Sequence, residues 1–138
     1  MVGLILISHG QLGRVLLETA SEIVGPFDRA EAISVGRQDR LADVERRIEA
    51  AIERLDSGQG VLVLVDMFGG TAANVVLGLI GTRNIEVVTG CSLPMLLKVS
   101  SARSHHESLG SLAQLIKFYG QRNVIVAGEM LKEREIDG

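Results

Sequence analysis

The chain has 138 residues, of which 46% are hydrophobic and 22% are charged, and its formal net charge is −3. This composition is that of a globular domain with its own core, and it excludes a disordered or fibrous chain. The small negative charge gives no long-range attraction to nucleic acid or to an anionic membrane, so we expect neither as a partner.

Apolar runs of strand length alternate with segments of helical periodicity along the chain. The runs show no alternation of apolar and polar residues, which is typical of parallel strands covered by helices on both faces. The predicted strands are Val2–Ser8, Ala30–Val35, Val61–Val65, Ile85–Thr89 and a short last strand, Asn123–Ala127. The predicted helices are Gly10–Val24, Arg40–Leu55, Thr71–Ile80, Leu93–Ser101 and Ser108–Tyr119.

This alternation predicts a single α/β domain over residues 1–138. We expect a doubly wound, mainly parallel sheet of strand order 2-1-3-4 with helices on both faces. Residues 129–138, which end in the polar segment Lys132–Gly138, are predicted to be a surface helix end or a flexible tail. In such sheets the chemistry collects at the carboxyl ends of the strands, beside the point where the strand order reverses.

Two features indicate the cytoplasm. Cys91 is the one cysteine, so no internal disulfide is possible, and a lone thiol is typical of a reducing compartment. The first apolar run has strand length and no preceding Lys or Arg, so it predicts neither a signal peptide nor a membrane span.

His9 and Asp66 each follow a buried strand, and the two strands are neighbours in the predicted order. His9 could be a core histidine, a metal ligand or a catalytic group at the sheet rim. Asp66 could cap the next helix or form an Asx-turn. Side by side, the carboxylate would fix the imidazole tautomer, leave the other ring nitrogen nucleophilic and stabilise the cation formed by its attack on an electrophile.

The segment Gly69-Gly70-Thr71 precedes a predicted helix. Free backbone N–H groups and the helix dipole favour an anion there, and the Thr71 hydroxyl adds a donor. Gly-Gly is also a common turn, and no Walker A loop is present. A nucleophilic imidazole, an orienting carboxylate and an anion-binding helix start at one sheet edge together suggest phosphoryl transfer onto a histidine.

Other candidate residues have simpler interpretations. His105 and His106 lie in a polar stretch that predicts a solvated turn, because no ligand cluster accompanies them. Cys91 is close to the predicted site, but it has no neighbouring base in the sequence. Met67 and Phe68 follow Asp66 directly, and they belong either to the core or to a patch that docks a partner protein.

Three segments, "LISHG", "DMFGGTAAN" and "GCSLPMLL", resemble the enzyme IIA component of the mannose-type (mannose/fructose/sorbose) phosphoenolpyruvate-dependent sugar phosphotransferase system. They appear in the order and spacing of that family. The resemblance implies that His9 is phosphorylated, that Asp66 orients it, and that Thr71 with Gly69 and Gly70 holds the phosphoryl group.

The resemblance also implies the partners. HPr would donate the phosphoryl group, a separate IIB protein would accept it, and no metal or cofactor would take part. We expect docking at Met67, Phe68, Leu93 and Pro94. Family members are typically homodimers in which a C-terminal strand, here Asn123–Ala127, joins the partner's sheet, and we expect this exchanged strand to be antiparallel.

The sequence departs from the family pattern at two places. Ala72-Ala73 stands where Pro-Phe is common, and Cys91-Ser92 stands where Val-Asn is common. The alternatives to a sugar phosphocarrier are a regulatory protein whose His9 phosphorylation is read by a partner, the phosphocarrier subunit of a dihydroxyacetone kinase, and a small-molecule-binding or nucleotide-binding α/β domain.

Overall fold

The computed structural model describes residues 1–105 and 108–137 and contains a four-stranded, fully parallel sheet between helices. The strands are β1 (Gly3–His9), β2 (Ala30–Val35), β3 (Val61–Val65) and β4 (Ile85–Thr89). The helices are α1 (Leu12–Val24), α2 (Leu41–Leu55), α3 (Thr71–Leu79), α4 (Leu93–Ala102), α5 (Leu109–Arg122) and α6 (Ala127–Asp137). The strand order is β2-β1-β3-β4, which confirms the predicted doubly wound sheet.

Both faces of the sheet are buried. Leu4 and Leu6 of β1 belong to a core cluster formed with α1, α4 and α5. Ile5 and Ile7 point to the other face and belong to a second cluster formed with α2 and α3. Neither face of the central strands therefore meets solvent, which explains why their sequences are apolar without alternation.

Helix α2 is amphipathic. Helix α2 has 15 residues, and its buried positions recur at helical spacing: Val44, Ile48, Ala51, Ile52 and Leu55. In the part of the chain that the structure describes, no helix is both long and apolar enough to cross a membrane.

The carboxyl ends of β1 and β3 meet at the point where the winding reverses. After β1 the chain crosses to β2 on one side of the sheet centre, and after β3 it crosses to β4 on the other side. Ile7 pairs with Val65 in the parallel register, so His9 and Asp66 follow at the same sheet edge. This edge is where ligand sites occur in open α/β sheets.

The segment predicted as the last strand, Asn123–Ala127, forms no strand in the single chain. Asn123 lies in a turn and Ala127 begins α6. Between them, Val124, Ile125 and Val126 are 83%, 60% and 63% exposed. A strand needs a neighbour for its backbone hydrogen bonds, and the described sheet of this chain provides none here. Pairing of this segment with a second copy stays a prediction.

Candidate active site

His9 occupies the last position of β1, where the strand leaves the core. The strand is buried up to Ser8, whereas the His9 side chain is 61% exposed. Ser8 Oγ accepts a hydrogen bond from the Gly13 N–H at 2.7 Å, which fastens the start of α1 to the strand end. Gly10 has a φ of +55°, a conformation that favours glycine and turns the chain away from the sheet. This exposure excludes the interpretation of His9 as a core histidine.

The Asp66 carboxylate binds His9 at two points. Its Oδ2 accepts the backbone N–H of His9 at 2.9 Å and lies 2.9 Å from the ring Nδ1. An ionised carboxylate only accepts hydrogen bonds, so Nδ1 carries the proton. The lone pair of the neutral ring is therefore on Nε2. The predicted pair is present, and Asp66 does not cap α3, whose N-cap is Gly70.

The contacts with His9 keep Asp66 ionised. Burial works to raise the pKa of the Asp66 carboxyl, whose side chain is only 13% exposed. The hydrogen bonds from the His9 backbone and ring, the charge of His9 and the Met67 backbone N–H outweigh that effect, so the pKa lies below its usual value. Asp66 therefore faces His9 as an anion at neutral pH.

His9 Nε2 lies beside the N-terminus of α3. A β carbon built on Gly70 would be 3.7 Å from Nε2, and Gly70 has a φ of +86°. The Asn74 N–H donates to the Gly70 carbonyl, so the amides of Thr71 and its neighbours in the first turn have no acceptor within the helix. These amides and the helix dipole favour a small anion next to Nε2.

The site extends into a cavity of about 490 Å³ beside His9. Gly70 and Thr71, at the start of α3, line one side of it. The loop after β2 lines another side with Gly36, Arg37 and Asp39, which the sequence analysis did not include. The predicted strand order could have identified this loop as part of the site, because it places the carboxyl end of β2 next to that of β1.

The residues predicted to dock partners differ in exposure. Met67 and Phe68 are 55% and 71% exposed. Phe68 lines a groove beside β4 rather than the cavity at His9. Leu93 and Pro94 begin α4 and are half-buried, and Leu93 packs against the core cluster. The structure thus presents the first pair to solvent far more than the second.

Cys91 is not arranged as a nucleophile. Its N–H donates to the Val65 carbonyl at 3.0 Å, which places it after β4 near Asp66. Burial, with a smaller effect from the Asp66 charge, raises the pKa of the Cys91 thiol to about 12. A thiol with this pKa is protonated at neutral pH and does not attack an electrophile.

The described residues hold no group of three or more His, Cys, Asp or Glu side chains arranged for a metal ion. His105 lies in the exposed turn after α4, and His106 lies outside the described residues.

Several known proteins that resemble this chain are described as components of the phosphotransferase system (PTS). A family model described as "PTS system fructose IIA component" matches residues 3–117. A PTS system fructose-specific EIIA component of Bacillus subtilis is 28% identical over 134 residues, which cover 96% of this chain and 91% of that protein. A PTS system mannose-specific EIIAB component of Escherichia coli is 27% identical over 124 residues. That match covers 89% of this chain but only 38% of the longer relative.

A solved structure of a IIA subunit is similar to this chain in both sequence and fold. The mannose/sorbose specific IIA subunit of the phosphotransferase system from Enterococcus faecalis is 31% identical and has a TM-score of 0.79. The match covers 91% of this chain and 93% of that structure. Since the family model covers most of the chain, the chain belongs to the EIIA-man family of PTS system fructose IIA components.

Proposed function

We propose that the chain is a phosphocarrier. It accepts a phosphoryl group from phospho-HPr on His9 Nε2 and passes it to a histidine of a separate IIB protein, in cytoplasmic steps that serve sugar uptake. The observation that carries this proposal is the hydrogen bond between Nδ1 and Asp66, which leaves Nε2 free beside the N-terminus of α3. Membership in a family of PTS IIA components supplies the classes of donor and acceptor.

The transfer step follows from this geometry. The Nε2 lone pair attacks the phosphorus of the donor phosphohistidine, a new N–P bond forms, and the old one breaks with its electron pair returning to the donor nitrogen. The His9 ring keeps its Nδ1 proton and becomes an imidazolium. The Asp66 carboxylate stabilises that cation, and the Thr71 hydroxyl with the amides of Gly70 and the first turn of α3 stabilises the phosphoryl oxygens. The second transfer reverses these roles.

The partners reach His9 across the exposed rim of the sheet. In-line attack requires the donor nitrogen, phosphorus and Nε2 to line up, so His9 must be open to a second protein. Met67 and Phe68 follow Asp66 directly, and their apolar side chains are exposed. Exposed apolar side chains that lie together are typical of a surface that binds another protein. We assign them to partner docking, with Leu93 and Pro94 as the less exposed edge of that surface.

We also propose that the chain is a homodimer. Among the described residues, strand β4 pairs with β3 alone, which leaves its other edge open. Val124, Ile125 and Val126 form an exposed apolar segment of strand-forming residues after α5. An added strand from a second copy would bury these side chains and close the edge.

Labelling of the purified protein tests the phosphocarrier role. Wild type and His9→Ala are incubated with phosphoenolpyruvate, enzyme I and HPr, and the bound label is tested for the acid lability of phosphohistidine. We expect one phosphoryl group per chain in wild type and none in the variant. Labelling that persists in His9→Ala would contradict the assignment. Labelled protein that transfers to no IIB protein would contradict the role in sugar uptake and favour a regulatory one.

A further inference from the structure

We propose that Arg37 is a phosphoryl-binding residue whose guanidinium contacts the phosphoryl group carried by His9. The ligand is a phosphoryl dianion bonded to the imidazole. This inference rests on the proposed function, because it concerns the group that His9 would carry. It adds to the site a fixed positive charge from a loop outside the sequence motifs.

The fold holds Arg37 at the same sheet edge as His9. Val35 pairs with His9 in the parallel register of β1 and β2, and its carbonyl accepts the Gly10 N–H at 3.1 Å. Arg37 follows Val35 by two positions and lines the cavity that also contains His9 and Thr71. The pairing of β1 with β2 therefore fixes the position of the Arg37 backbone relative to His9.

The charged neighbours of Arg37 leave its guanidinium available. The Asp39 carboxylate also lines the cavity, but its Oδ2 accepts the Gly36 N–H at 2.7 Å and lies 3.6 Å from an Arg47 nitrogen. Within residues 1–105 and 108–137, Arg37 makes no side-chain hydrogen bond or ion pair. It thus lines the cavity as an unpartnered cation, whereas the nearest acid is already engaged.

Phosphorylation creates the charge that Arg37 would balance. A phosphoryl group brings up to two negative charges to a site that already contains the carboxylates of Asp66 and Asp39. The imidazolium and the amides of α3 offset part of this charge. Among the residues that line the cavity, Arg37 is the one with a permanent positive charge. Guanidinium matches phosphoryl oxygens with several directed donors, so it suits this position better than an ammonium group.

Phosphorus NMR of the phosphorylated protein tests the inference without any partner protein. Wild type, Arg37→Gln, Arg37→Lys and Arg40→Gln are phosphorylated with potassium phosphoramidate, a small chemical donor. The pKa of the phosphoryl group is read from the pH dependence of its phosphorus signal. Arg40 is the matched control, because it is an exposed arginine three positions further on that does not line the cavity.

We expect Arg37→Gln to raise the phosphoryl pKa by about 0.5 pH unit, since removal of a nearby cation disfavours the dianion. The difference should shrink at high salt, Arg37→Lys should restore part of it, and Arg40→Gln should match wild type. An unchanged pKa in Arg37→Gln would overturn the inference, as would an equal shift in Arg40→Gln. Neither result bears on whether phospho-HPr labels His9, so failure of the proposed function is recognised separately, from the labelling experiment.

Discussion

Asp66 Oδ2 and His9 Nδ1 lie 2.9 Å apart although 57 positions separate the two residues in the chain. The same carboxylate oxygen also accepts the His9 backbone N–H. The parallel pairing of β1 with β3 brings them together, and the double contact fixes both the ring orientation and the tautomer. The proposed phosphoryl transfer to Nε2 depends on this relationship.

Asp66→Asn should slow phosphoryl acceptance from phospho-HPr by about 10²–10⁴-fold. The amide lacks the charge that stabilises the imidazolium, and its NH₂ group can donate to Nδ1 and select the wrong tautomer. Rapid-quench labelling measures the rate. Asp43→Asn is the control, because Asp43 pairs with Arg46 on α2 and does not line the cavity. Equal rates in wild type and Asp66→Asn would remove Asp66 from the mechanism.

Gly70→Ala should slow labelling more than 10-fold. Its methyl group would lie 3.7 Å from Nε2, in the space that the phosphoryl group needs. Gly81→Ala is a matched control, because Gly81 also has a positive φ, +93°, but it follows α3 outside the site and a β carbon there would contact nothing within 4 Å. Both variants should lose about 1–2 kcal/mol of stability from backbone strain. The same labelling rate in both would show that the space above Gly70 is not used.

Asp66 should contribute to stability only when it is ionised. Its folded pKa lies below the unfolded value, so the contribution is fully present above the unfolded pKa of about 4 and is lost as pH falls through the folded pKa. We expect Asp66→Asn to lower the free energy of unfolding by about 1–2 kcal/mol at pH 7. This difference from wild type should narrow below about pH 4. Urea titrations at several pH values measure it, and a difference that grows in acid would contradict the sign.

Phe68→Ala should weaken docking of phospho-HPr more than folding. Phe68 is 71% exposed, so its loss should change the free energy of unfolding by less than about 0.5 kcal/mol. Removal of an aromatic docking residue should raise the KM for phospho-HPr by about 5–30-fold. Ile23→Ala is the control, because Ile23 is 57% exposed near the far end of α1. A large fall in Tm with an unchanged KM would assign Phe68 to packing instead.

Ile125→Asp should shift the protein from dimer to monomer. A charge in the proposed exchanged strand would be buried against the partner's sheet without a counter-charge. Sedimentation at several concentrations measures the mass. Ile23→Asp, an equivalent change on an exposed residue of α1, should leave the dimer intact. A wild-type monomer at micromolar concentration would contradict the dimer directly.

Most of the fold was predictable because its local signals agree with its packing. The runs at β1 and β3 are apolar on both faces since α1, α4 and α5 cover one side of the sheet and α2 and α3 cover the other. The segment Asn123–Ala127 is also rich in strand-forming residues, but no strand in the described part of the chain pairs with it. Strand propensity alone cannot say whether a partner strand is available.

The core of the site was predictable and its boundary was not. His9 and Asp66 follow buried strands, and glycines mark the start of α3, so their meeting follows from the strand order. Arg37 belongs to a loop with no motif of its own, and only the position of β2 beside β1 brings it into the cavity. The exposure of a side chain also depends on tertiary packing. The sequence therefore could not show that Phe68 is exposed while Leu93 packs against the core cluster.

The most direct measurement is the identity of the phosphorylated atom. Protein with ¹⁵N-labelled histidine is phosphorylated by phospho-HPr, and the coupling between ³¹P and ring ¹⁵N identifies the bonded nitrogen. We expect a single phosphohistidine at His9, bonded through Nε2, with Nδ1 still protonated toward Asp66. A phosphoryl group on Nδ1 or on another residue would contradict the arrangement in which Asp66 fixes the tautomer and α3 receives the phosphoryl group.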